Sequence, residues 1–229
     1  MDGSGPIFFC SIRSTLRVAL AAAALACAGF PASTAGEALM IAIDRMTIGS
    51  PPAGFSFART GLGAEGKWSV VADPTAKAGR AIEQQSTDRT DYRFPLAIHE
   101  SFSAKNLIMQ VRFKPVAGKI DQAGGIVARL ADPDNYYVAR ANALEHNIRF
   151  YRVVAGRRQQ LGTSNIRVTP NEWHVLTLRA EGDRFRVSHD GAVLFEVKDD
   201  TFRDAGGVAL WTKADSVTRF DQVTITTLP

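Results

Sequence analysis

From Asn106 to the C-terminus the chain is a succession of short segments rich in β-branched and aromatic residues, each closed by turn-forming residues. Such a pattern leaves few folds open, because short strands at regular spacing with almost no helical periodicity close into a two-sheet sandwich. The strand-like segments are 106–113, 124–130, 135–141, 145–153, 173–180, 183–189, 192–198, 206–213 and 217–227. The run DRFRV is the plainest, with Phe185 and Val187 expected inward and Arg184 and Arg186 outward. Asp190-Gly191, between two such runs, marks a tight hairpin whose two central residues need positive φ. Asp132-Pro133-Asp134-Asn135 marks another turn. One short helical turn is expected over 199–204. Residues 36–105 are less regular and hold strand-like pieces at 39–43, 53–58, 67–72 and 80–84. Neither a linker nor a repeat divides the chain, so the expectation is one all-β domain, an antiparallel two-sheet jelly-roll β-sandwich over residues 36–229.

Residues 1–35 read as a cleavable signal peptide. Arg13 and Arg17 precede an apolar run from Val18 to Ala28, and Ser33 and Ala35 stand where a small-residue cleavage site needs them. The run is short for a permanent membrane span. The expected location is therefore periplasmic or secreted, with no membrane span after cleavage. Both cysteines, Cys10 and Cys27, fall in this leader. A lipid anchor at Cys27 would want Leu three residues before it, where Ala24 stands. The mature chain would hold no cysteine, hence neither a disulfide nor a thiolate nucleophile. The charge balance of 27 basic and 23 acidic residues is mild. It gives no reason to expect nucleic acid, which calls for a concentrated basic stripe with stacking aromatics.

The stretch Gly61-Leu62-Gly63-Ala64-Glu65-Gly66 matches a dinucleotide fingerprint, but it leads into a strand-like run where a phosphate site needs a helix N-terminus. His99, His146, His174 and His189 show no i, i+4 pair and no H-E-x-x-H, so no zinc-enzyme motif is present. Glycoside hydrolysis uses two carboxylates flanking the scissile bond, and a strand supplies them at alternate positions. Glu145, Asp215 and Asp221 stand isolated instead. Strand alternation does group other residues: Arg140 with Asn142, Arg149 with Tyr151, and Trp211 with Lys213. Aromatic rings stack on sugars and Arg, Lys and Asn donate to hydroxyls, so Arg140, Asn142, Tyr151, Trp211 and Lys213 are the candidate ligand-binding residues. The competing reading makes Tyr151 and Trp211 core aromatics and the basic residues a solvated face; a shift of one residue in phase exchanges the two. No cofactor is expected beyond a structural calcium ion, for which Asp44 near the mature start and Asp221 near the end are the candidates.

The run GGIVARLADPDNYYVARANALEHNIRFYRVVAGRRQQL, and the later WHVLTLRAEGDRFRVSHDGAVLFEVKDDTFRDAGGVALWTKADSVTRFDQVTI, resemble exported bacterial proteins with a concanavalin A-like lectin/glucanase fold. These are related to laminin-G-like domains and to the 3-keto-disaccharide hydrolase domain family. The resemblance covers residues 36–229 and is strongest over 124–225. It implies a glycan or small saccharide as partner and directs attention to Asn135, Tyr136, Arg140, Asn142, Glu145 and Asn147, and to Trp211, Thr212, Lys213, Ala214 and Asp215. Three functions stay open: an exported carbohydrate-binding protein without a paired-acid hydrolase site, an enzyme cleaving 3-keto-glycosides, or a structural domain of the cell envelope. In the enzyme, Glu145, Asp215 or a histidine would act as the single base and Arg140 as the stabilising cation.

Overall fold

The computed structural model describes residues 38–229, together with residues 1–3, 5 and 36. The expected leader features (Cys10, Arg13, Arg17, Cys27, Ser33 and Ala35) lie outside the described residues. The described fold belongs to the unit running from Ser33 to Pro229. Among the described residues no helix is long and apolar enough to cross a membrane.

Among the described residues fifteen strands follow one another: β1 Ala38–Met40, β2 Phe55–Gly61, β3 Trp68–Ala72, β4 Arg80–Gln84, β5 Arg93–His99, β6 Leu107–Ala117, β7 Ala123–Asp132, β8 Asn135–Asn142, β9 Asn147–Val154, β10 Arg157–Asn165, β11 His174–Glu181, β12 Arg184–His189, β13 Ala192–Lys198, β14 Gly207–Thr212 and β15 Val217–Thr227. A 3-10 turn, Ile43–Arg45, follows β1. The strands form two antiparallel sheets. One runs β13-β12-β11-β6-β15-β4-β3, with β1 joined to the far half of β15; the other runs β10-β9-β8-β7-β14-β5-β2. The chain is thus an all-β, two-sheet antiparallel jelly-roll sandwich.

Alternation explains the core. Phe185 and Val187 on β12 are fully buried while Arg184 and Arg186 face solvent. Phe185 meets Tyr137 and Phe150 of the opposite sheet, centred 4.4 Å from Tyr137 and 5.0 Å from Phe150. Leu107, Met109, Val111 and Phe113 on β6 add a central row to the same cluster. Burying one such side chain contributes about 1.5–3 kcal/mol, so the inter-sheet layer is the main source of stability. Asp190 and Gly191 both take positive φ, +47° and +83°, and close the β12–β13 hairpin as their sequence requires.

Two strands depart from expectation. The segment RFPLAIH forms β5 despite Pro95, because the ladder to β14 spans only Leu96–Ile98 and leaves the proline beyond it. RRQQLGTSN forms β10, an edge strand with no buried residue and a register shift between Gln160 and Gly162. Its exposed polar sequence carries no hydrophobic period. The helical turn expected over 199–204 does not form. Asp199 there accepts the Tyr137 hydroxyl at 2.6 Å and the Thr201 amide at 3.0 Å, and the segment stays irregular.

Candidate functional site

The seven-stranded sheet buries both faces. Away from the inter-sheet core it carries a second apolar layer made of Phe94, Leu96, Val127, Tyr136, Val138, Tyr151, Val153, Ala209 and Trp211. The registers Gly125↔Arg140, Arg140↔Arg149 and Trp211↔Gly125 put Arg140, Arg149 and Trp211 side by side on this outer face. Asn142 and Tyr151 share it by alternation. Lys213, just past β14, reaches Asp121, which also binds Asn142. All five ligand-binding candidates therefore lie on one face, at different depths.

Arg140 is buried and fully engaged. Its guanidinium donates to Asn147 Oδ1, to Glu145 Oε2 at 2.8 Å and to the Tyr151 hydroxyl at 3.4 Å. Arg149 reaches the same hydroxyl at 3.5 Å and Glu145 at 3.5 Å. Burial opposes ionisation of the Tyr151 phenol, but Arg140, Arg149 and Arg158 outweigh burial and lower its pKa. Burial likewise opposes the Glu145 charge, and Arg140 and Asn147 overcome it, holding that carboxyl below its usual range. A second polar group lies beside the first. Asn142 donates to Asp121 Oδ1, and Lys213 Nζ sits 2.6 Å from Asp121 Oδ2 and 2.8 Å from Asp91 Oδ1. Burial raises the Asp121 carboxyl pKa against the pull of Lys213.

Two expected roles change. Trp211 is fully buried and stacks on Phe94 at 5.4 Å and 15°, so it supports the surface and offers no face to a sugar. Asp215 is buried and accepts the amides of Lys119, Ile120 and Asp121 at 2.8–3.0 Å. Burial would raise its pKa, but these donors lower it, which makes it an anchor for the turn before β7 and a poor base. The two calcium candidates lie in different settings. Asp221 is committed to Arg112 at 2.8 Å and the Lys77 amide at 2.8 Å, and Asp44 lies exposed on the 3-10 turn. Residues pointed to by resemblance also divide: Asn147 joins the Arg140 cluster, while Asn135 binds Asp132 in a turn and the Tyr136 hydroxyl pairs with Thr60. The glycines 61–66 link β2 to β3 with no helix following.

Sequence reasoning passed over four residues. The Arg158 guanidinium lies 4.2 Å from the Phe94 ring, 5.0 Å from Tyr151 and 5.7 Å from Tyr92. Tyr92 is 38% exposed, is packed edge-on against Phe94 at 4.8 Å, and its hydroxyl accepts the Arg158 amide at 3.1 Å. Asp121, fourth of the set, precedes β7 in a loop. Exposed Tyr92, part-exposed Arg158 and Arg149 and exposed Glu145 form the accessible part of the face.

Neither a protein-family model nor a curated protein sequence matches the chain. Similar solved structures include the carbohydrate-binding module CBM66 from Bacillus subtilis, 21% identical over 75% of this chain and 95% of that one, with a TM-score of 0.59. Domain 4 of AbnA, a GH43 extracellular arabinanase from Geobacillus stearothermophilus, solved in complex with arabinotriose, is 13% identical over 84% and 94%, with a TM-score of 0.53. A Bacillus licheniformis β-glucanase is 11% identical over 79% and 95%, with a TM-score of 0.51. At these identities the likeness is one of fold, and it agrees with the sheet order and the two-layer core: the chain has the concanavalin A-like lectin/glucanase fold.

Proposed function

We propose that the outer face of the seven-stranded sheet binds a saccharide and that the protein is an exported, lectin-like binding protein. The row formed by Tyr92, Phe94, Arg158 and Tyr151, bordered by Arg149 and Glu145, carries this reading. An exposed tyrosine ring offers a flat surface to the apolar face of a sugar. Charged groups at its border form strong hydrogen bonds to hydroxyls. The pair with buried Arg140 fixes Glu145 before a ligand arrives, which limits the ordering cost of binding there. The carbohydrate-binding module and the arabinanase domain among the similar structures are consistent with such use of the fold.

Cleavage of a 3-keto-glycoside needs a free base, and two of the candidates, Glu145 and Asp215, are engaged by hydrogen bonds. Glu145 is held ionised by Arg140 and Asn147, and Asp215 by three amides. Binding without bond cleavage is the reading adopted. A glycan array followed by affinity gels with the purified protein tests it. Tyr92→Ala and Arg158→Ala should each weaken binding at least about tenfold, or ~1.4 kcal/mol. Failure to bind any neutral or acidic glycan, or wild-type affinity in both variants, would overturn the proposal and favour an interaction domain. Release of free sugar from a 3-keto-glucoside would favour the enzyme.

A further inference from the structure

His174 opens β11, His189 closes β12, and antiparallel pairing of the two strands brings the histidines together. Both are buried, and both rings lie beside Phe113, at 5.6 and 6.4 Å. Their centroids are 5.1 Å apart. Asp190 follows in the Asp-Gly turn. Its Oδ1 accepts the Val175 amide at 2.6 Å, which fixes the carboxylate. Its Oδ2 then lies 3.1 Å from His174 Nδ1 and 3.4 Å from His189 Nδ1.

The partners of His174 conflict unless a cation is present. Nε2 is 2.9 Å from the Thr169 carbonyl, which only accepts, so Nε2 carries a proton. In a neutral ring Nδ1 is then a bare lone pair directed at a carboxylate oxygen. Either a second proton or a metal ion between the two atoms resolves the clash. The second histidine favours the metal. Its Nδ1 approaches the same carboxylate oxygen at 3.4 Å, so two imidazole nitrogens converge on one anionic oxygen.

We propose that His174 Nδ1, His189 Nδ1 and Asp190 Oδ2 bind one divalent transition-metal ion of the zinc class. Tetrahedral zinc with bonds of about 2.1 Å sets its ligand atoms about 3.4 Å apart. The two contacts to Asp190 Oδ2 are near that separation, and one ligand atom from each of the three residues lies within 4.8 Å of the others. Two imidazoles select zinc, copper or nickel over calcium and magnesium, which prefer oxygen. The Thr169 carbonyl is the outer-shell acceptor that a metal-bound histidine ordinarily has. Asp190 is exposed, so an ion can enter from solvent and water can complete its coordination. The site is on the eight-stranded sheet and does not involve the saccharide face. It joins strand ends, and so has no i, i+4 signature in the sequence.

Calorimetric titration of untagged, EDTA-treated protein with zinc chloride tests the proposal, with calcium chloride as the comparison. One zinc ion per chain should bind saturably and calcium should not. His189→Gln and Asp190→Asn should each weaken zinc by more than the roughly tenfold cost of losing an outer-shell partner. Asparagine tolerates the positive φ of position 190, so that variant keeps the turn. Nitrogen-detected NMR of the wild type needs no variant: zinc should move the ring signals of His174 and His189 and leave those of His99 and His146 in place. Absence of saturable zinc binding, zinc affinity unchanged in both variants, or unmoved His174 and His189 signals would overturn the proposal. The histidines would then be a proton-bridged cap on the core.

Discussion

Replacing Trp211 by alanine separates packing from recognition on the outer face. The side chain is fully buried, lies flat on Phe94, and approaches the β7 backbone so closely that a Cβ at Gly125 would meet its ring at 3.3 Å. Removing a buried tryptophan costs about 3–5 kcal/mol, and the upper half applies where neighbours cannot collapse. Phe94 is held by Arg158 at 4.2 Å, and Leu96 and Val127 lie in paired strands, so collapse is restricted. The expected loss is about 4–5 kcal/mol, a large fraction of the ~5–15 kcal/mol of a typical domain. For a domain of this size that corresponds to a fall in Tm of roughly 8–20 °C. Far-UV circular dichroism in urea and on heating measures it without relying on tryptophan fluorescence. Saccharide binding, measured well below the lowered midpoint, should fall only in proportion to the folded fraction. A midpoint shift under about 1 kcal/mol combined with selective loss of binding would refute the reasoning, because Trp211 would then be a sugar platform.

Two further outcomes follow from the packing and charge of the sheets. Gly125→Val forces a Cβ to within 2.8 Å of the Ala139 carbonyl and 3.1 Å of Arg140 Cβ. Overpacking of this kind costs about 1–3 kcal/mol, and a urea midpoint equal to wild type would contradict the close approach. At Asp73, burial opposes ionisation, but Lys114, Thr75 and Arg219 outweigh it and hold the carboxyl well below its ordinary value of 3.8. A depressed folded-state pKa contributes stability that is complete above the unfolded value and is lost as pH falls below it. Wild type should therefore lose Tm steeply below about pH 4, and Asp73→Asn should have a flatter acid limb and a lower Tm at neutral pH. Parallel Tm–pH curves would count against the ion cluster.

The strands that alternate cleanly were legible from their residues. DRFRV became β12 with the expected faces, and 192–198 and 217–227 match β13 and β15. The same alternation put Arg140, Asn142, Tyr151, Trp211 and Lys213 on one face. The two unrecognised strands account for most of what the site reading lacked. Arg158 belongs to β10, whose polar edge sequence has no period-two signal. Tyr92 and Phe94 flank or open β5, which Pro95 disguised. Without β5, nothing in the sequence indicates that Phe94 and Leu96 roof the neighbouring strand and bury Trp211. Local alternation reveals a face but not how deeply that face is covered.

On the proposed saccharide-binding reading, that depth decides which residues would contact a ligand. Arg140 is 3% exposed and anchored by Asn147, Glu145 and Tyr151. A sugar hydroxyl could bind Arg140 only by displacing one of these partners. Breaking such a charged hydrogen bond costs about 1.5–3 kcal/mol, as much as the new bond would return. Arg140 therefore positions Glu145 and Tyr151, and direct contact falls to the accessible groups Tyr92, Arg158, Arg149 and Glu145. Arg140→Ala would leave Glu145 without its nearest cation and would disturb binding indirectly. Arg149, one-third exposed and tied only by contacts of 3.5 Å, can turn toward a ligand at little cost. The buried half of the polar cluster is scaffolding, and the proposed saccharide would meet the exposed rim.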